Sequence, residues 1–191
     1  SVFADDISDF QIEGISIGDS LLDYITEDEI FKEIELNKED YPYLNEPYKY
    51  VEVYIRKKFN IYEYISVFIN NKSLSKYLNN KNQKYVILGI RGMIQYNEDF
   101  DSCVQKRDEI EVEISQMFPS SYKSGYRLDH PSDPLGNSFQ EHVTFDFNSG
   151  GLVDINCNNL DETFRIKHNR FEGFNIQLYN KEITSWVRNR P

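Results

Sequence analysis

The sequence predicts an α+β fold: a mainly antiparallel sheet with one long helix packed on one face, two short N-terminal helices and a short C-terminal helix. Three observations carry that expectation. Strand-like segments follow one another in runs, at 48–57, 61–70, 138–148, 152–157, 162–167 and 171–179, and do not alternate with helices as in a doubly wound sheet. The segment 99–118 places Phe100, Cys103, Ile110, Ile114 and Met117 on one stripe of a 3.6-residue period. Aromatic residues make up 15% of the 191 residues, with 14 Tyr and 13 Phe, and strands favour such side chains.

The elements follow in order. The stretch 9–17 reads as extended, with Gly14 interrupting its alternation as a bulge. Asp19 is expected to cap a short helix over 20–25. Thr26 with Glu29 three residues on is a capping-box pattern for a helix over 27–36, and Glu27, Asp28 and Glu29 suit its positive end. Val51, Val53 and Ile55 alternate with Tyr48, Tyr50 and Tyr54. Ile61, Ile65, Val67 and Ile69 alternate with Tyr62, Tyr64 and Phe68, which makes the two segments a hairpin. A helical turn is expected at 74–78. Residues 85–96 read as one long central strand, apolar on both faces. Pro119 ends the long helix, and 120–137 reads as a turn-rich loop, longer than compact domains usually need and so either functional or mobile. In the next strand Val143, Phe145 and Phe147 face inward and His142, Thr144 and Asp146 outward. Gly150-Gly151 turns the chain into 152–157. A final helix, 181–188, docks through Ile183, Trp186 and Val187.

Composition limits the function. A net charge of −11 without a basic stripe excludes nucleic acid, whose binding needs clustered Lys and Arg. No apolar run approaches the roughly 20 residues that cross a bilayer. Val2-Phe3-Ala4 ahead of Asp5-Asp6 has the form of a signal-peptide end cleaved after Ala4. The expectation is a residual signal end at 1–4, one domain at 5–191, and export to the periplasm or medium. Cys103 on the helix stripe and Cys157 on the face of Val153 and Ile155 both point into the core. A disulfide between them fits an oxidising compartment.

Ile15-Ser-Ile-Gly-Asp-Ser-Leu21 resembles the block that opens the GDSL-type (SGNH) hydrolases, and that resemblance implies Ser20 as a nucleophile with Gly18 shaping the turn. A serine needs a base and a group to orient it. In that family these come from Asp-x-x-His near the C-terminus, and a mid-chain Gly-x-Asn-Asp builds the oxyanion hole. His130, His142 and His168 follow Arg127, Phe139 and Arg165 at that spacing, so neither pattern occurs. The longer string Gly14-Ile-Ser-Ile-Gly-Asp-Ser-Leu-Leu-Asp-Tyr24, with Cys103, Cys157 and a late Glu-Ile-x-x-Trp, is similar to a group of small exported bacterial proteins of unknown function. That likeness carries no activity.

Asp129, His130 and Asp133 have the chemistry of metal ligands, but their loop explains them as turn formers, so no metal and no cofactor are expected. His142 and His168 read as solvated or edge positions. Tyr48, Tyr50, Tyr54, Tyr62, Tyr64 and Phe68 form an aromatic sheet face. It is either a second core under the N-terminal helices, which carry Leu21, Leu22, Ile25, Ile30 and Ile34, or a partner surface. The functional expectation is a non-enzymatic binding or interaction module for a protein or small-molecule ligand, with an esterase using Ser20 as the alternative.

Overall fold

The alternation of apolar residues is realised as a sheet with one dry face. The computed structural model describes residues 7–71, 80–130, 132–133, 135–170 and 172–189. The signal-peptide end expected at 1–4 and the helical turn expected at 74–78 lie outside the described residues. The elements are β1 (Gln11–Ile12), β2 (Ile15–Ser16), α1 (Glu27–Asn37), β3 (Tyr50–Tyr54), β4 (Tyr64–Asn70), β5 (Gly89–Gln95), α2 (Phe100–Met117), β6 (Tyr122–Asp129), β7 (Phe139–Asp146), β8 (Leu152–Asn159), α3 (Glu162–His168), β9 (Gly173–Tyr179) and α4 (Lys181–Arg188). Among the described residues seven strands form one antiparallel sheet in the order β3-β4-β5-β9-β8-β7-β6. The fold is α+β, as the runs of strands predict.

One face of this sheet is aliphatic. Val51, Val53, Ile65, Val67, Ile69, Ile90, Ile155, Ile176 and Leu178 are all 3% exposed or less, and they share one cluster with Cys103, Ile110 and Ile114 of α2. Cys103 and Cys157 are bonded, joining α2 to β8. The capping box at α1 is present: Thr26 Oγ1 accepts from the Glu29 amide, and the Glu29 carboxylate accepts from the Thr26 amide at 2.8 Å.

The N-terminal segment departs from its expected form in physically readable ways. Gly14 is not a bulge. Glu13 and Gly14 both have positive φ (51° and 78°) and make the two-residue turn of a small hairpin, β1–β2. Asp19 does not cap a helix. Its carboxylate accepts from the Ser16 amide and the Tyr24 hydroxyl, and the chain makes only a 3-10 turn at Leu21–Asp23. The long strand expected over 85–96 is split. Tyr85 turns with φ 48°, and 85–87 hydrogen-bonds to residues 18–21, leaving Gly89–Gln95 for the sheet. That strand is not apolar on both faces either, since Arg91 lies on its second face.

Two further expectations are overturned. Residues 162–167 form helix α3, not a strand. Over six residues a period of two fits Phe164 and Ile166, but Asp161 caps the first turn by accepting from the Phe164 amide. Asn169 closes the last turn in the left-handed conformation, and Ile166 ends up 67% exposed. The expected loop 120–137 contains β6, which pairs with β7 over eight residues. Its residues are mostly exposed, so no apolar alternation announces it. Met117 of the helix stripe is exposed and Phe118 takes the buried place, against Phe147.

Gly173 shows how tightly β9 enters the sheet. Its φ is 153°, and a Cβ there would stand 2.1 Å from the Ile94 carbonyl oxygen and 2.8 Å from the Tyr96 amide nitrogen. Both are backbone atoms that cannot step aside. Gly173→Ala is expected to destabilise the protein by about 2–3 kcal/mol in urea denaturation. An unchanged midpoint would mean that the β5–β9 register does not begin here.

Candidate functional site

The face of the sheet opposite the aliphatic core carries two polar rows, beside an aromatic cluster covered by α4. Strand register sets its side chains in rows. One row runs Tyr126, His142, Asn156, Asn175, Met93, Tyr64. The next runs Ser124, Thr144, Asp154, Gln177, Arg91, Ser66, Tyr54. These positions come from every second residue of six or seven strands, which is why no local motif contains them.

His142 is buried, not solvated as expected: it is 9% exposed. The neighbouring row puts Asp154 beside it, with Nδ1 at 2.9 and 3.1 Å from the two carboxylate oxygens. A carboxylate only accepts, so the hydrogen sits on Nδ1, and in the neutral ring Nε2 is a lone pair. Tyr126 stacks flat on the ring, with centroids 4.9 Å apart and planes 12° apart. Burial, then the Asp154 charge, raises the Tyr126 phenol above its ordinary range.

A second network lies toward β3. Glu52 is 3% exposed, and its carboxylate accepts from the Tyr41 hydroxyl, the Ser66 hydroxyl and Arg91 Nη1, the last at 3.0 and 3.2 Å. Burial, then the Glu52 charge, holds the Tyr41 phenol well above its usual range. Burial opposes the charge of Arg91, and Glu52 together with the Tyr41, Tyr179 and Tyr54 phenols more than offsets this.

Three side-chain atoms on this face are buried and lack a hydrogen-bond partner among the described residues: Arg91 Nε, His142 Nε2 and Asn156 Nδ2. Asn156 and His142 are cross-strand neighbours. Asn156 Oδ1 accepts from Asn175 Nδ2 at 3.3 Å, so only the donor end of that amide is open. Each orphaned group costs about 1–3 kcal/mol. Native proteins keep few of them, and those call for a specific account.

The aromatic residues do not form one patch. Tyr50 and Phe68 are buried with Trp186 and Ile183 of α4, together with Leu44 and Tyr179. The N-terminal helices do not cover that face: Leu21 and Ile30 join the aliphatic cluster on the other side. Tyr62 packs on the other side as well, its ring over Gly92. Tyr54 and Tyr64 end the two polar rows, and Tyr48 is 60% exposed.

Ser20 is 3% exposed, its hydroxyl donates to the Lys84 carbonyl at 2.9 Å, and the residue bridges to Val86. No histidine hydrogen-bonds it among the described residues. Asp133 accepts from the Leu135 and Ser138 amides, and His130 Nδ1 accepts from the Ser132 amide, which makes them turn formers. Among the described residues no group of three or more His, Cys, Asp or Glu is placed to hold a metal. No helix among them is long and apolar enough to cross a membrane. Surface clefts also lie elsewhere among the described residues. One is beside α3, where Arg165 pairs with Glu98 and Glu172, another is under α4, where the Tyr50 hydroxyl bonds Glu182, and a third adjoins Ser121, whose hydroxyl donates to the Phe118 carbonyl. Their principal polar groups are already paired, so the sheet face carries the stronger signal.

The sequence sign of this face is the polar residues at 142, 144 and 146, at 154 and 156, and at 175 and 177, a pattern that a solvated sheet face would share. No family model, curated protein or solved structure matches the chain.

Proposed function

We propose that this protein is an exported, non-enzymatic binding module whose recognition surface is the polar sheet face around His142, Asn156 and Arg91. The observation that carries the reading is the concentration of three unpartnered buried polar atoms on adjoining rows of one face. A ligand that completes their hydrogen bonds recovers a cost the free fold bears. The His142–Asp154 pair has the form of an oriented base, but the serine and threonine hydroxyls of the polar rows are engaged elsewhere. Ser124 and Thr144 bond each other at 2.9 Å, and Ser66 bonds Glu52. A base without a nucleophile supports binding over acyl transfer. The buried disulfide supports export.

A site of this kind is costly to the free protein, and that is testable without knowing the ligand. Replacing Asn156 and Asn175 together by leucine removes the orphaned amide and its partner. The double variant is expected to match the parent in urea denaturation or to gain up to about 1 kcal/mol. A loss of about 2 kcal/mol or more would make the pair part of the scaffold and sink the reading. Short-chain chromogenic esters test the non-enzymatic part. Turnover that vanishes in Ser20→Ala would replace this reading with an esterase.

A further inference from the structure

We infer that the ligand of this face is a neutral polyhydroxylated molecule, a short sugar chain lying along the row from Tyr126 to Tyr64; this rests on the binding-face reading above. Charge comes first. Arg91 is matched by Glu52, and with the His142 ring neutral the Asp154 carboxylate leaves the face acidic, which opposes anions; a cation only donates, so it would leave Asn156 Nδ2 and Arg91 Nε without an acceptor. The net charge of −11 opposes anions further.

Hydrogen-bond polarity comes second. His142 Nε2 needs a donor, while Asn156 Nδ2 and Arg91 Nε need acceptors. A carboxylate serves only the last two. A hydroxyl donates and accepts from one atom, and adjacent hydroxyls on a ring repeat that pair. Peptide groups also do both, but peptide recognition relies on buried apolar anchors. The middle of this row offers imidazole and amides instead.

Shape comes third. Tyr126 and Tyr64, 43% and 47% exposed, stand at the two ends of the row. With strands about 4.8 Å apart, the row's five gaps span about 24 Å before twist, which accommodates several sugar rings. Tyrosine rings present flat apolar faces with a polar tip, suited to the C–H face of a pyranose. Tyr126 covers one side of the His142 ring from the edge strand β6, so the ligand reaches Nε2 as Tyr126 turns aside.

The test is a titration of isotope-labelled protein with maltohexaose, cellohexaose, laminarihexaose and chitohexaose. The nuclear magnetic resonance signals of His142 Nε2, the Asn156 side-chain amide and Arg91 Nε are followed. Oligogalacturonate of equal length and a glycine-serine peptide serve as controls. At least one neutral oligosaccharide is expected to move all three signals together and saturably. Its affinity is expected to fall about tenfold in Tyr126→Ala, with Tyr126→Leu as the second variant if the first fails to fold. Shifts from oligogalacturonate or the peptide alone would overturn the sugar inference and leave the binding face standing. No shift from any probe would overturn the inference, and the Asn156/Asn175 double variant then decides whether the face binds anything.

Discussion

Glu52→Ala is expected to lower the unfolding free energy by about 3–5 kcal/mol, the largest effect of any single substitution on the polar face. The carboxylate is 3% exposed and accepts from Tyr41, Ser66 and Arg91. Its removal leaves two buried hydroxyls without an acceptor and a guanidinium without its counter-charge. Arg91 is already short of one partner at Nε, so it has no alternative arrangement close by. The measurement is urea denaturation of Glu52→Ala, Arg91→Met and the double variant. The double variant should recover much of the loss, since removing both charges is milder than stranding one. Additive losses would show that Glu52 and Arg91 are not coupled.

Replacing both cysteines by alanine is expected to cost about 4 kcal/mol, the loop-entropy value for a bond spanning 54 residues. The span from Cys103 to Cys157 includes α2 after its first turn, β6, β7 and β8. The unfolded chain therefore regains the freedom of a stretch that carries three of the sheet's seven strands when the bond is lost. Both residues are fully buried, so thiol reagents should reduce the native protein slowly and the unfolded protein fast. Denaturation of the oxidised, reduced and double-alanine forms checks this. Equal stability of all three would mean that the fold is held by α2 and β8 packing alone.

Much of the architecture was legible locally. The 3.6-residue stripe gave α2 with Cys103, Ile110 and Ile114 inward, because a helix returns to its buried face on that period. The Thr26–Glu29 spacing gave the start of α1, because a capping box is a contact across three residues. The failures share a cause. Over 162–167 two periods fit equally and only the caps at Asp161 and Asn169 decide. Over 122–129 an edge strand exposed on both sides has no pattern to read, and its pairing with β7 holds it. At 85–87 the backbone groups are taken by residues 18–21, a contact more than 60 residues away in sequence.

The sequence by itself determined the class of the fold, the dry face of the sheet and the meeting of Cys103 with Cys157. Each follows from the alternation or helical period of consecutive residues. Only the tertiary structure decided what the other face is. His142, Asp154, Asn156, Asn175 and Arg91 lie on four strands, and antiparallel register alone makes them neighbours. A shift of one residue in any pairing would turn that strand's polar groups into the core. The aliphatic face therefore fixes the register, and the register assembles the polar one.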